Sequence, residues 1–150
     1  MYKSKDFIYD KVDLFNRLAL CIIFYWFGIL KLLSLSPAEP LVRDLYLKTI
    51  HSLVPFDYFL IFLGLLECII GILFLCPRYT KIAFTVFSIQ IVTTLLPLFV
   101  LPQEVWHNGI APTLTGQYII KNVVLMGCAL SILKYWNSNL KNQINYSTKN

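Results

Sequence analysis

One carboxylate inside a membrane-length apolar run constrains this chain most. Residues 56–76 form a run long enough to cross a bilayer, and after Asp57 its only charged residue is Glu67, close to its middle. A carboxylate at that depth costs roughly 2.5–3.5 kcal/mol on insertion scales. A chain retains such a group when side chains inside a helical bundle compensate its charge, or when it is protonated. The first question is therefore which side chains face Glu67.

Composition places the chain among integral membrane proteins. Of its 150 residues 57% are apolar and only 14% are charged, whereas soluble domains carry about a quarter charged residues. The net charge is +5, and the basic residues flank apolar segments. They do not cluster with aromatic residues on a soluble face. That distribution argues against a nucleic-acid partner and makes the lipid bilayer the first predicted partner.

Four segments are predicted to span the membrane as helices: 14–35, 56–76, 80–101 and 115–136. The first is read as an uncleaved span, because Ser-Pro follows it where a signal peptide would have a small-residue cleavage site. Pro97 is expected to bend the third span. Residues 1–13 are predicted to form a solvated cytoplasmic lead-in and residues 137–150 a frayed cytoplasmic tail. The predicted fold is an all-α integral membrane four-helix bundle, forming one domain over residues 14–136.

The connector between the first two spans has its own pattern. Ser36, Pro37 and Glu39 have the spacing of a helix capping box with proline in the first turn. Apolar residues then recur at helical spacing as far as Pro55. We predict a short amphipathic helix on the membrane surface, ended by that proline. Its apolar positions are Val42, Tyr46, Ile50 and Leu53.

Lys and Arg residues predict the orientation. Nine of the 13 flank the spans on the side of the termini, and only Arg43 and Lys48 lie in the opposite loops. The positive-inside rule therefore predicts a multi-pass membrane protein with both termini in the cytoplasm. The nine residues are Lys3, Lys5, Lys11, Arg17, Arg78, Lys81, Lys134, Lys141 and Lys149.

Each span carries its unusual residues on one helical stripe, and we expect all four stripes to face inward. The predicted intramembrane polar cluster comprises Lys31, Glu67, Gln90, Gln117, Lys121 and Asn122. The residues predicted to line a pocket beside it are Phe24, Trp26, Gly28, Leu60, Gly64, Gly71, Thr94 and Pro97.

Two lysines are candidates to compensate Glu67. A lysine stem spans roughly 6 Å, so Lys31 and Lys121 can extend toward Glu67 or toward the outer headgroups. We predict that at least one of them binds Glu67. Gly64 and Gly71 would let a neighbouring helix or a flat ligand approach closely. Alternatively, the ion pair only fixes helix register and binds no ligand.

The sequence assigns no catalytic residue and no metal site. The four cysteines, Cys21, Cys68, Cys76 and Cys128, lack a paired motif and are read as structural thiols. His51 and His107 lie in the loops, where two separate histidines are a weak metal signal. No covalently bound cofactor is expected.

Four motifs, in this order, resemble the DoxX-like membrane proteins, especially the bacterial branch. They are WFGILK at 26–31, LGLLECIIG at 63–71, TTLLPLF at 93–99 and PTLTGQYIIKN at 112–122. The resemblance covers residues 14–135. It implies a four-helix bundle of the bacterial inner (cytoplasmic) membrane. It also implies loose redox associations, since the family includes a subunit of a thiosulfate:quinone oxidoreductase. It supplies no agreed catalytic residues.

Two functions follow as hypotheses, and whether the chain is an enzyme stays open. In the first, the chain is a redox-linked accessory subunit of a membrane oxidoreductase that interacts with a quinone, with Glu67 handling protons and a protein partner donating electrons. In the second, it is a non-enzymatic membrane partner or assembly chaperone whose ion pair is structural, and small-residue faces such as Gly127 and Ser131 bind a membrane protein or a second copy. A small-solute transporter is a weaker third alternative.

Overall fold

The computed structural model describes the backbone of residues 2–51 and 53–147 and the side chains of residues 9–51 and 53–140. Helix dominates it. The helices are α1 (Tyr2–Leu32), α2 (Glu39–Thr49), α3 (Phe56–Leu75), α4 (Thr80–Leu95), α5 (Pro97–Val100), α6 (Pro102–Val105), α7 (Leu114–Ile120) and α8 (Asn122–Ser147). A 3-10 turn, Pro77–Tyr79, precedes α4, and two strands, β1 (Trp106–His107) and β2 (Ala111–Pro112), precede α7.

Within the described residues, four segments are long and apolar enough to cross a membrane, which confirms the predicted all-α membrane bundle, and a short helix, α2, connects the first two. Consecutive crossings place the two chain ends and the Pro77–Tyr79 turn on one side, called here the terminal side. The opposite side, which holds α2 and the two strands, is called the loop side. The four segments are Tyr9–Leu32, Phe56–Leu75, Pro77–Val100 and Leu114–Leu140.

The helices form a closed ring, in which α1 and α4 each contact both α3 and α8. Aromatic rings fill its centre: Phe87 meets Phe24 edge-to-face at 5.3 Å between centroids and Phe74 at 5.5 Å. Such aromatic pairs contribute about 0.5–1.5 kcal/mol beyond the area they bury. Apolar residues from all four long helices complete this core.

Both ends of the chain are more helical than predicted. The predicted lead-in is helical from Tyr2 onward, and α8 continues through the predicted frayed tail to Ser147. Neither segment contains glycine or proline, so nothing in it breaks a helix. Met1 and residues 148–150 lie outside the described residues.

Arg17 fastens the terminal side of the bundle. Its side chain is buried, and its guanidinium donates to Asp13 at 2.6 Å, to the carbonyl of Phe74 at 3.0 Å and to the hydroxyl of Thr80 at 3.1 Å. The carbonyl of Phe74 is one of those that the end of α3 leaves without a helical donor. Arg17 therefore ties α1 to the end of α3 and the start of α4.

The connector forms the predicted helix with different ends. Ala38 occupies the N-cap position and α2 begins at Glu39, so the capping box predicted at Ser36 is wrong. Glu39 instead pairs with Arg43 one turn later, at 3.0 Å. The helix ends at Thr49 and not at Pro55.

Tyr46 anchors α2 on the bundle. Its ring contacts Phe56 and Phe59, and its hydroxyl donates to the carbonyls of Val54, at 2.6 Å, and His51, at 3.1 Å. The buried hydroxyl therefore holds the chain that follows α2 in a turn. The helix ends at this turn, before the chain reaches Pro55. Leu53, predicted on the apolar face of this helix, lies beyond its end and is exposed.

The loop side carries a small hairpin that the sequence analysis did not predict. Trp106 pairs with Pro112, and His107 with Ala111. A three-residue loop, Asn108 to Ile110, joins the strands, and Asn108 and Gly109 both have positive φ at the centre of a tight turn that the N–H of Ile110 closes on the carbonyl of His107. Two spans are interrupted on this side: the third at Leu96, before the expected bend at Pro97, and the fourth at Lys121. The candidate span Leu114–Leu140 contains the predicted fourth span, 115–136, and the backbone of Lys121 itself keeps right-handed helical angles.

Candidate functional site

A buried ion pair lies inside the bundle. Lys31 Nζ is 2.6 Å from Glu67 Oε2, and the two residues are only 6% and 8% exposed. The amide of Gln90 donates to the other carboxylate oxygen at a longer distance, 3.4 Å. These three residues, called here the inner cluster, join α1, α3 and α4. The prediction that a lysine binds Glu67 is confirmed for Lys31.

The antiparallel packing of α1 on α3 explains why this pair forms. Helical side chains lean toward the N-terminus of their own helix. Lys31, near the loop-side end of α1, therefore leans toward the terminal side, and Glu67 in the middle of α3 leans toward the loop side. The two side chains approach each other across the interface. For this reason Lys31 does not extend to the outer headgroups.

Glycines let the two backbones approach closely beside the pair. A Cβ at Gly28 would lie 2.6 Å from Cys68 Sγ and 2.7 Å from the carbonyl oxygen of Gly64. A Cβ at Gly64 would lie 2.9 Å from the carbonyl oxygen of Gly28, and one at Gly71 would lie 3.0 Å from that of Cys21. The sequence left open whether a neighbouring helix or a flat ligand would lie beside Gly64 and Gly71. In the structure, the backbone of α1 lies there.

The other predicted pocket residues divide between the interior and the lipid-facing surface. Trp26, predicted to line the pocket, is 66% exposed on the side of α1 that faces away from the bundle, and it does not line the interior. Its position follows from helix geometry, since Phe24 and Gly28 on either side of it define the buried stripe. Five residues lie in the interior, and their role in lining a pocket stays a prediction. Four are buried and Thr94 is partly buried: Phe24, Leu60, Gly71, Thr94 and Pro97.

The fourth span does not contribute to the inner cluster. Gln117 and Lys121 are exposed, Asn122 is half-buried, and the ammonium of Lys121 lies 4.9 Å above the Tyr118 ring. The predicted inward stripe on this span is therefore wrong. Its physical reason lies in α7, where the inward positions are Gly116 and Ile119.

Two contacts determine which face of α7 points toward the bundle. Thr113 caps the helix by accepting from the backbone N–H of Gly116 at 3.1 Å. Gly116 packs so closely on the backbone of Val105 that a Cβ there would collide with it. Gln117 and Lys121 then point away from the bundle, and the turn at Lys121 separates them from the stripe that α8 presents.

A second surface on the fourth span is open. Gly127 is exposed, and a Cβ placed on it would meet nothing within 4 Å. Ser131, one turn further along α8, is exposed as well. Gln117 and Lys121 are exposed on the loop-side part of the same span. We call the residues Gln117, Lys121, Gly127 and Ser131 the outer face.

The sequence analysis missed the buried role of Arg17, which it used only to predict orientation. A count of basic residues cannot separate an exposed lysine from a buried arginine. The available signal was Asp13, four residues before Arg17 and so on the same helical face. All four cysteines are free thiols. The sequence predicts that they are buried structural thiols. Cys68 is buried and Cys21 and Cys128 are half-buried, but Cys76 is exposed.

Comparisons with known proteins identified no protein similar to this chain. The chain matches no protein-family model, no curated protein and no solved structure.

Proposed function

We propose that this protein is a non-enzymatic accessory protein of a membrane, which acts by binding another membrane protein, and that its buried ion pair is structural. One observation supports this proposal above the others. The polar groups of the inner cluster bind one another, with 2.6 Å between Lys31 Nζ and Glu67 Oε2.

The packing around the inner cluster supports the same conclusion. The backbones of α1 and α3 fill the space beside Gly28 and Gly64. A ligand at Glu67 would have to break an ion pair and separate two tightly packed helices. Breaking a buried pair typically costs about 3–5 kcal/mol, which is a large part of the stability of a small domain.

The outer face has the properties of a helix-binding surface. Small residues such as Gly127 and Ser131 allow a partner helix to approach closely, and amide and ammonium groups can bond across a helix interface. The partner is a membrane protein or a second copy of this chain. The distribution of Lys and Arg supports an orientation with both termini in the cytoplasm.

Site-specific crosslinking tests this function. A photoreactive amino acid at Gly127, in cells that express the full chain at a low level, should yield a discrete adduct heavier than the monomer. The matched control places the same group at Ile89, which is 62% exposed on α4, outside the outer face. An adduct at both positions, or at neither, would contradict the proposal. The mass of the adduct distinguishes a second copy from a different protein.

The redox-linked, quinone-interacting function is the second candidate, and two features favour it. Phe24 and Phe87 form an aromatic pair one helical turn from Gly28 and Gln90, where a quinone ring could stack. The long bond of Gln90 to Glu67 could also be exchanged for a bond to a quinone oxygen. The resemblance to DoxX-like proteins points the same way.

A thermal-shift measurement separates the two functions. If a quinone binds at the inner cluster, a saturating quinol analogue should raise the melting temperature of the purified protein, and Glu67→Gln should abolish that shift. If the pair is only structural, the analogue should leave the melting temperature of both proteins unchanged.

A further inference from the structure

The terminal side of α4 carries basic groups without acidic neighbours in sequence. Arg78 in the 3-10 turn and Lys81 in the first turn of α4 are both exposed. The sequence contains no Asp or Glu at residues 68–103 or 105–150. The helices α4 and α8, which pack together here, therefore bring only positive side chains to this part of the bundle.

The terminal side of α1 is different, because among its described side chains Asp10 and Asp13 balance the charges of Lys11 and Arg17. The guanidinium of Arg17 is bound to Asp13 at 2.6 Å, and Asp10 accepts a hydrogen bond from Tyr135 of α8. Within the part of the chain whose side chains are described, the unbalanced positive charge of this side therefore lies on α4, the 3-10 turn before it and α8. A count of basic residues along the sequence does not reveal this asymmetry.

An aromatic side chain holds Lys81 in place. Its ammonium lies 5.2 Å from the centroid of the Trp136 ring of α8, within the range of a cation–π contact. Indole rings favour the membrane–water interface, the level at which lipid phosphates lie. Lys81 is thus positioned at phosphate height in the region where α4 meets α8.

An apolar strip runs along α4 from these charges toward the middle of the bilayer. Ile82, Ile89 and Val92 follow Arg78 at helical spacing, and each is at least half exposed. Such a strip can hold an acyl chain. Basic groups at phosphate height with an apolar strip beneath them match the two parts of a phospholipid.

We propose that this surface is a binding site for an anionic phospholipid. Arg78 and Lys81 bind the phosphate, and the acyl chains lie along Ile82, Ile89 and Val92. A glycerol-type headgroup leaves the phosphate charge uncompensated, whereas a choline headgroup brings a cation of its own close to Arg78 and Lys81. The site therefore selects anionic over zwitterionic lipid. This proposal does not depend on the proposed function.

Lipid binding to the full chain in detergent micelles tests the site, with native mass spectrometry as the readout. Phosphatidylglycerol should bind the parent protein more tightly than phosphatidylcholine does. Each basic residue near an anionic surface contributes roughly a fivefold factor, so Arg78→Gln/Lys81→Gln should weaken phosphatidylglycerol binding about 25-fold. Both positions are exposed, so the double variant loses only the exposed cation–π contact of Lys81 and should melt within about a few degrees of the parent.

The matched control is Arg43→Gln/Lys48→Gln, which removes two exposed charges on the loop side. It should leave lipid binding unchanged. Equal losses in the two double variants would show that total charge governs binding and would overturn the proposal. Equal affinity for the two lipids would do the same. Competition by inorganic phosphate at millimolar concentration would show that the site takes free phosphate and does not need a lipid.

Discussion

The inner cluster and the outer face use the same residue types in opposite surroundings. Gly28 is pressed against the backbone of α3, whereas a side chain at Gly127 would meet nothing. Lys31 is bound to a carboxylate, whereas Lys121 is exposed above a tyrosine ring. Gln90 of the cluster and Gln117 of the outer face form a third contrasting pair. The comparison shows that the type of a residue in a membrane helix does not determine the role of that residue. Whether a neighbouring helix packs against the residue determines it.

Each pair supplies an experiment with its own control. If the comparison is right, the inner member of a pair should affect the stability of the bundle, and the outer member should leave it unchanged. The largest effect is expected for the lysines and the smallest for the glutamines.

Lys31→Met should destabilise the bundle by about 3–5 kcal/mol, because it leaves the Glu67 carboxylate buried without its cation. Lys121→Met should change stability by less than about 0.5 kcal/mol, as exposed substitutions generally do. The measurement is reversible unfolding in mixed detergent micelles, with helix content followed by circular dichroism. Similar losses in both variants would show that Lys121 also supports the fold.

Gly28→Ala should cost about 1–3 kcal/mol, the usual range for overpacking. The new methyl group would meet the carbonyl oxygen of Gly64, which cannot move unless α3 moves. Gly127→Ala should cost nothing, because the space beside it is open. Melting temperatures of the two variants in the same detergent provide the comparison. An unchanged melting temperature for Gly28→Ala would mean that α1 and α3 are not in close contact.

Gln90→Leu should cost about 1 kcal/mol, since it removes one long hydrogen bond to a charged group. Gln117→Leu should leave stability unchanged and, on the proposed function, reduce crosslinking at Gly127. Unfolding and crosslinking on the same samples separate the two effects. A greater loss of stability in Gln117→Leu than in Gln90→Leu would reverse the assignment of the two faces.

Much of the fold could be predicted because the bilayer imposes simple rules. Apolar length identified four spans, and the stripes of α1 and α3 were correct because each helix is continuous from Phe24 to Lys31 and from Leu60 to Phe74. The same counting failed on the fourth span. There the stripe was counted across the turn at Lys121, which the sequence marks with neither glycine nor proline.

Other features needed information about contacts. The hairpin could have been predicted from Asn108 and Gly109, a strong turn signal. The exposure of Gly127 and the burial of Gly28 could not, because both are glycines in apolar helices. The same limit applies to the candidate site: the sequence identified Lys31, Glu67 and Gln90 as a group but could not exclude Lys121 from it.

The central claim is that Lys31 and Glu67 hold α1 on α3 as a structural pair. A double-mutant cycle tests it most directly, with unfolding free energies measured for the parent, Lys31→Met, Glu67→Gln and the double variant. We expect a coupling energy of about 2 kcal/mol or more between the two positions, so that the double variant is more stable than the sum of the single losses implies. A coupling energy of zero within error would contradict the claim.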